Sequence, residues 1–173
     1  LPSKANWSLE VFDGSTKGSL NGNKSMLLGM RAVLSPVDGL QFELIQTSQW
    51  GGKGYSKGIS TLGSALVFDS NDNSNSNINK MSGFGISYKM PTKIPLRIYG
   101  QAIGEDEAGN LPSCYSYLAG LEWSNKKIKY PTNLGFEAID TRINTTEHGF
   151  CGPNTMYNNG TYSYTNYGKT MGA

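Results

Sequence analysis

Glu105, Asp106 and Glu107 stand in succession between Gly104 and Gly109, three carboxylates that repel one another unless cations, backbone amides or water hold them. One chemistry open to them is cleavage of a glycosidic bond, which needs one carboxyl kept protonated and a second ionised across the scissile bond. Neighbours on an extended chain point to opposite faces, so Glu105 would have to draw its partner carboxylate from elsewhere, Glu122 or Glu137 among the choices. Calcium would want regularly spaced oxygen ligands over about 12 residues, and the D-x-[DN]-x-[DN]-G series is absent. The least demanding reading is a carboxylate cluster paired with Arg97, Arg142 or lysines across a polar interior. Recognition of ligand hydroxyls stands beside it.

Other stretches are weaker. Gly51 to Gly58 is glycine-rich but lacks the G-x-x-x-x-G-K-[ST] order, and no helix is expected behind it to hold phosphate. His148 is the single histidine, without a second histidine or paired thiols to complete a metal site, so neither a metal nor a cofactor is expected. Cys114 and Cys151 are the two cysteines, and strand parity places both at one rim; a disulfide and free thiols are the alternatives. Tyr157, Asn158, Asn159, Tyr162 and Tyr164 cluster toward the same rim as the acidic run. Aromatic rings with carboxamides and carboxylates are what a carbohydrate-binding surface uses.

The elements that must position these residues read as strands. Charged residues make up 16% of the 173 residues and hydrophobic ones 37%, while Gly (22) and Tyr (10) are abundant, a composition of strands and turns. Net charge is +2 with the basic residues scattered singly, which leaves nucleic acid without an electrostatic footprint. Apolar alternation appears at Trp7 to Val11, Leu40 to Leu44, Phe84 to Met90, Leu96 to Ala102 and Tyr115 to Trp123, with Pro36-Val37-Asp38-Gly39 closing a hairpin. Ile59 to Phe68 also reads as a strand, Asp69 to Asn79 as a solvated loop, Glu105 to Gly109 as an acidic loop, and Tyr162 to Tyr167 as a last strand. About nine strands result, with no intervening helical pattern. Short turns at Pro91 to Pro95 and Asn125 to Lys127 fall at one rim, and long loops at Asp69, Glu105 and Thr146 at the other. Such a pattern fits an outer-membrane barrel, a sandwich or a jelly roll.

The run Gly100-Gln101-x-x-Gly104-Glu105-Asp106-Glu107-Ala108-Gly109-x-Leu111-Pro112-Ser113, followed by Gly120-Leu121-Glu122, resembles the Wzi family of capsule-assembly proteins. The resemblance extends more loosely from Phe84 through Tyr157-Asn158-Asn159-Gly160-x-Tyr162-x-Tyr164 to Gly172. It implies an all-β fold, an antiparallel up-and-down barrel of outer-membrane type, and it favours the barrel over the sandwich. It also implies a non-enzymatic, lectin-like role in attaching capsular or extracellular polysaccharide at the bacterial cell surface, with outer-membrane lipid as the other partner. Glu105, Asp106, Glu107, Tyr157, Asn158 and Tyr162 are then the candidate sugar contacts, Arg97, Arg142 and Glu122 the candidate lumen charges. A hydrolase using the loop carboxylates and a porin-like channel are the alternatives. Because bacterial single-chain barrels have even strand numbers and lipid tolerates no open edge, residues 1–173 are expected to be one segment of a longer barrel.

Overall fold

A computed structural model describes residues 5–17, 24–66, 78–91, 95–108, 111–125, 130–142, 164–167 and 169–170, with the backbone alone at 105–108, 111–113 and 170. Seven strands, β1 (Asn6–Ser15), β2 (Met26–Val37), β3 (Leu40–Trp50), β4 (Asn79–Lys89), β5 (Leu96–Ala108), β6 (Leu111–Asn125) and β7 (Thr132–Asp140), form one sheet. Their spatial order is their chain order, and every pair is antiparallel. Helix α1 (Ile59–Leu66) lies between β3 and β4, and the two-residue strands β8 (Thr165–Asn166) and β9 (Lys169–Thr170) pair with each other. This is an up-and-down, all-β wall, a partial barrel with β1 and β7 at its two edges.

Register sorts the side chains into two faces. Trp7 pairs with Leu34, Leu34 with Phe42, Phe42 with Ile86, Ile86 with Gly100 and Gly100 with Ala119, so these positions share a face. The same face carries Leu9, Leu44, Phe84, Ile98, Leu121 and Phe136. Its aromatics and aliphatics are bare: Trp7 is 73% and Phe136 63% exposed. The opposite face carries Glu10, Arg31, Glu43, Gln101, Arg97, Tyr99, Glu122 and Glu137. An apolar surface of this extent on one side of a sheet calls for a nonaqueous neighbour.

Tight turns and α1 mark opposite rims. At the first, Val37 pairs with Leu40 across Asp38 and Gly39, and Gly39 takes φ 85°, the left-handed region in which glycine carries no side-chain penalty. At the second, two small apolar clusters lie back to back. Leu28, Trp50 and Ala65, with Met26, Leu62 and Ile78, pack beneath α1 on the apolar face. Met81, Cys114 and Tyr164, with Leu27 and Ile103, pack on the polar face.

Three expectations are corrected. The acidic run is not a loop: β5 continues through it to Ala108, Asp106 pairs with Ser113 and Glu107 with Pro112, and only residues 109–110 lie between the strands. A ladder partner with the right register satisfies the backbone of those residues, which charge patterning alone does not reveal. The segment from Ile59 is not a strand: Ile59, Leu62 and Leu66 recur at helical spacing, and Ala65, fully buried, allows a helix to lie close against the sheet. The absence of a helical pattern between strands was therefore misjudged at this one connection. The expected last strand is two short ones, β8 and β9.

A β-carbon at Gly39 would stand 2.4 Å from the Lys89 carbonyl oxygen, whereas one at Gly14 would meet nothing within 4 Å. Gly39→Ala is therefore expected to cost about 1–3 kcal/mol and Gly14→Ala under ~1 kcal/mol, read as shifts in the denaturant midpoint of the refolded full-length protein. Equal midpoints would show that the turn does not need its glycine.

Candidate polar-face site

Every candidate polar contact that the structure describes lies on the polar face or at the helix-bearing rim. Arg31 of β2 stands between two carboxylates: Nη1 is 3.5 Å from Glu10 of β1, while Nε and Nη2 donate to Glu43 Oε2 of β3 at 2.9 and 2.6 Å. Glu43 in turn accepts from Gln101 Nε2 of β5 at 2.5 Å through its other oxygen. The contact skips β4, and Gly85 is the reason. Gly85 sits in register between Glu43 and Gln101, and its missing β-carbon leaves the gap they bridge.

The same device recurs toward β7. Tyr99 of β5 lies across Gly120 of β6, where a β-carbon would stand 2.4 Å from Tyr99 Cζ, and donates its hydroxyl to Glu137 of β7 at 2.6 Å. Arg97 pairs with Glu122 at 3.0 Å and holds its guanidinium carbon 4.8 Å from the centre of the Tyr99 ring, a cation–π distance. Gln41, Glu43, Ser87, Arg97, Tyr99 and Gln101 line a shallow cleft over Gly85. Each exposed ion pair contributes little alone, about 0–1 kcal/mol. Collectively these contacts tie non-adjacent strands together on one face of the sheet.

Arg142, just past β7, holds Asp140 with two hydrogen bonds, Nε to Oδ1 at 3.0 Å and Nη2 to Oδ2 at 2.9 Å. That side-chain pairing, with the carboxylate's charge, raises the Arg142 guanidinium above its ordinary pKa. Cys114 is disulfide-bonded and takes φ 54°. Its expected partner Cys151 lies outside the described residues, as do Tyr157, Asn158, Tyr162 and His148. Glu105, Asp106 and Glu107 are placed by their backbone at the helix-bearing rim. Among the described residues no group of three or more His, Cys, Asp or Glu could hold a metal ion.

The chain beyond Tyr164 returns to the first strands. Tyr164 donates its amide to Gln49 Oε1 and its hydroxyl to the Asn79 carbonyl, both at 3.2 Å. The Tyr167 amide donates to the Lys17 carbonyl, and the Lys17 amide donates to Asn166 Oδ1 at 2.8 Å. Tyr164, 3% exposed, thus packs against the polar face at the rim where Glu105 to Glu107 stand. Sequence reasoning singled out Arg97, Glu122 and Arg142 but missed Glu10, Arg31, Glu43, Tyr99 and Gln101. The available signal was a polar residue at every second position opposite an apolar one; what it lacked was register.

Comparison with known proteins gives this arrangement its context. The family described as capsule assembly protein Wzi matches residues 5–173. An uncharacterised 55.8 kDa protein of the cps region of Klebsiella pneumoniae is 32% identical over 121 residues, 68% of this chain and 24% of that protein. The solved structure of Wzi from Escherichia coli is an outer-membrane protein involved in group 1 capsule assembly and described as a carbohydrate-binding β-barrel. It superposes with a TM-score of 0.71 at 27% identity, covering 96% of this chain and 36% of that one. The chain therefore spans about a quarter and about a third of the lengths of these two relatives.

Two outcomes test the site's geometry. Gly120→Val should displace Tyr99 and cost about 1–3 kcal/mol, whereas Gly85→Ala, facing Gln101 Cγ and Glu43 Oε1 at 3.2 Å, should cost under ~1 kcal/mol because both side chains can give by a few tenths of an ångström. Denaturant midpoints that rank the two the other way would refute the role given to the glycines. We also propose that Cys114 pairs with Cys151. A non-reducing digest should yield a linked peptide carrying both; recovery of both residues alkylated without reduction would refute the pairing.

Proposed function

The chain belongs to the Wzi family of capsule assembly proteins, and on that premise we propose that it is a wall segment of a longer outer-membrane β-barrel that attaches capsular or extracellular polysaccharide at the cell surface. The single observation that carries this reading is the division of the sheet into a bare apolar face and a hydrogen-bonded polar face. A strand buried in a water-soluble core would need that apolar face covered by protein; a barrel wall needs it bare, toward lipid.

The dimensions agree with a bilayer. Tyr115 and Tyr117 stand on the apolar face of β6 toward the rim that bears α1, and Trp123 toward the other. The eight residue steps from Tyr115 to Trp123 amount to about 27 Å along the strand, or about 21 Å across the membrane at a tilt of about 40°. That is close to the ~25 Å apolar band of outer-membrane barrels with aromatic residues at both margins. Trp7 and Tyr88 join Trp123 at its margin.

On this reading the polar face lines the barrel interior, and the network from Glu10 to Gln101 and the Arg97–Glu122 pair brace it. The rim bearing the long connection between β3 and β4 faces outward, since outer-membrane barrels place their longer loops there. Glu105, Asp106 and Glu107 reach that rim on β5, and we assign them, with Tyr157, Asn158 and Tyr162, to polysaccharide contact. Carboxylates accept hydrogen bonds from sugar hydroxyls more strongly than neutral groups do. The role is attachment without bond cleavage, with weak contacts repeated along a polymer.

Retention of immobilised capsular polysaccharide by the full-length protein tests the reading. Glu105→Gln, Asp106→Asn and Glu107→Gln combined should reduce retention about tenfold or more, the effect of losing one charged hydrogen bond of about 1.5–3 kcal/mol. Polymer length should stay constant throughout. Undiminished retention would remove the carboxylates from the site, and no retention by the unaltered protein would overturn attachment itself.

A further inference from the structure

Helix α1 has more apolar surface than it buries. Thr61 and Ala65 point into the sheet, and Leu62 packs against the cluster of Leu28, Trp50 and Ala65. Ile59 and Leu66 fall on the same side of the helix as Leu62 at the i, i+3, i+7 spacing, yet are 88% and 39% exposed. Ile59 and Leu66 thus extend the apolar stripe of the helix beyond what its contact with the sheet covers.

The helix is also mounted in a particular place. It lies on the apolar face of β3, where Gln46 Nε2 and Ser48 Oγ both donate to the Ala65 carbonyl at 2.9 Å. Along β3 the exposed apolar residues Phe42 and Leu44 come first, and the α1 dock at Gln46 to Trp50 follows immediately. The helix therefore sits at the margin of the apolar band, on its outer side. The segment that leads into it, from Gly51 to Gly58, carries exposed Lys53 and Lys57, and residues 50–66 contain no Asp or Glu.

We propose that α1 and the segment before it form a membrane-interface anchor: Ile59 and Leu66 enter the acyl boundary of the leaflet at that rim, and Lys53 and Lys57 meet the phosphates of its lipid headgroups. Apolar side chains that sink a few ångströms into the interface, flanked by lysines that stay at headgroup level, are how helices lie on a membrane. The occupant is an anionic, phosphate-bearing lipid because the band below α1 is continuous with it and the described residues 50–66 carry lysines and no carboxylate. The proposal rests on the reading of the apolar face as lipid-facing, and its test separates the two.

Full-length protein is reconstituted into phosphatidylcholine vesicles with and without phosphatidylglycerol, carrying an environment-sensitive fluorophore at Ile59→Cys or, as reference within the band, Phe84→Cys. Lipids with a quencher near the headgroup or deep in the acyl chain report depth. The Phe84 site should be quenched best by the deep probe and the Ile59 site by the shallow one. Lys53→Gln with Lys57→Gln should weaken shallow quenching at Ile59 about fivefold per lysine in the seated-to-lifted ratio, only where phosphatidylglycerol is present, and leave Phe84 unchanged. Quenching at Phe84 without quenching at Ile59 overturns the anchor and keeps the lipid-facing wall. No quenching at either site overturns both, and insensitivity to the lysine changes overturns the phosphate contact.

Discussion

The period of two in a paired strand is the constraint on which this structure depends. Antiparallel pairing sends alternate side chains to opposite faces, so a slip of β3 by one residue against its neighbours would carry Phe42 and Leu44 to the polar face and Glu43 to the apolar one. The register is held at both ends. Asp38 and Gly39 close β2 onto β3 at the turn rim, and Ala108 pairs with Leu111 where β5 meets β6 at the opposite rim. Between these ends, the bulge near Pro36 absorbs the one irregularity of the β2–β3 ladder without reversing the faces.

What distinguishes the polar face from an ordinary solvated sheet is the reach of its side chains across a strand. Strands lie about 4.8 Å apart, so Glu43 and Gln101, two strands removed, are about 10 Å apart at their backbones. They meet because Gly85 lies between them, and Tyr99 meets Glu137 because Gly120 does. Glycine in a strand is usually a cost in backbone entropy. Here it gives the polar face room for a hydrogen-bonded layer that couples β1, β2, β3 and β5 on one side and β5 with β7 on the other. These long-range couplings resist splaying in a way that nearest-neighbour pairs alone would not.

Hairpins and the two-faced alternation were legible in the sequence because each is written locally, in alternation and turn residues, whereas the up-and-down strand order followed from the family resemblance. The acidic run was read as a loop because three like charges suggest solvent, and nothing local announces that Ser113 and Pro112 will pair with Asp106 and Glu107. Helix α1 was read as a strand because Ile59 to Leu66 mixes apolar and small residues over too short a span to separate the two periods. The polar network was legible only as residue types. That Arg31 chooses Glu10 and Glu43, or that Arg142 turns to Asp140 two residues away, follows from register and from the end of β7, neither of which composition carries.

Gln46 and Ser48 show how the upper limit of the apolar band is drawn. Both lie on the face that elsewhere carries Phe42 and Leu44, where an unpaired amide or hydroxyl facing hydrocarbon would be costly. The last carbonyls of a helix lack intrahelical partners and need donors of their own. The Ala65 carbonyl accepts from both Gln46 Nε2 and Ser48 Oγ, which gives these donors a partner on this face and at the same time seats the helix. Strand β3 therefore changes from band to rim where its side chains cease to be apolar, and the helix stands at that change because its own unsatisfied backbone requires the donors found there. Replacing Gln46 and Ser48 by aliphatics would extend the band and remove the mount together, so the height of the band and the position of α1 are one feature of the sequence.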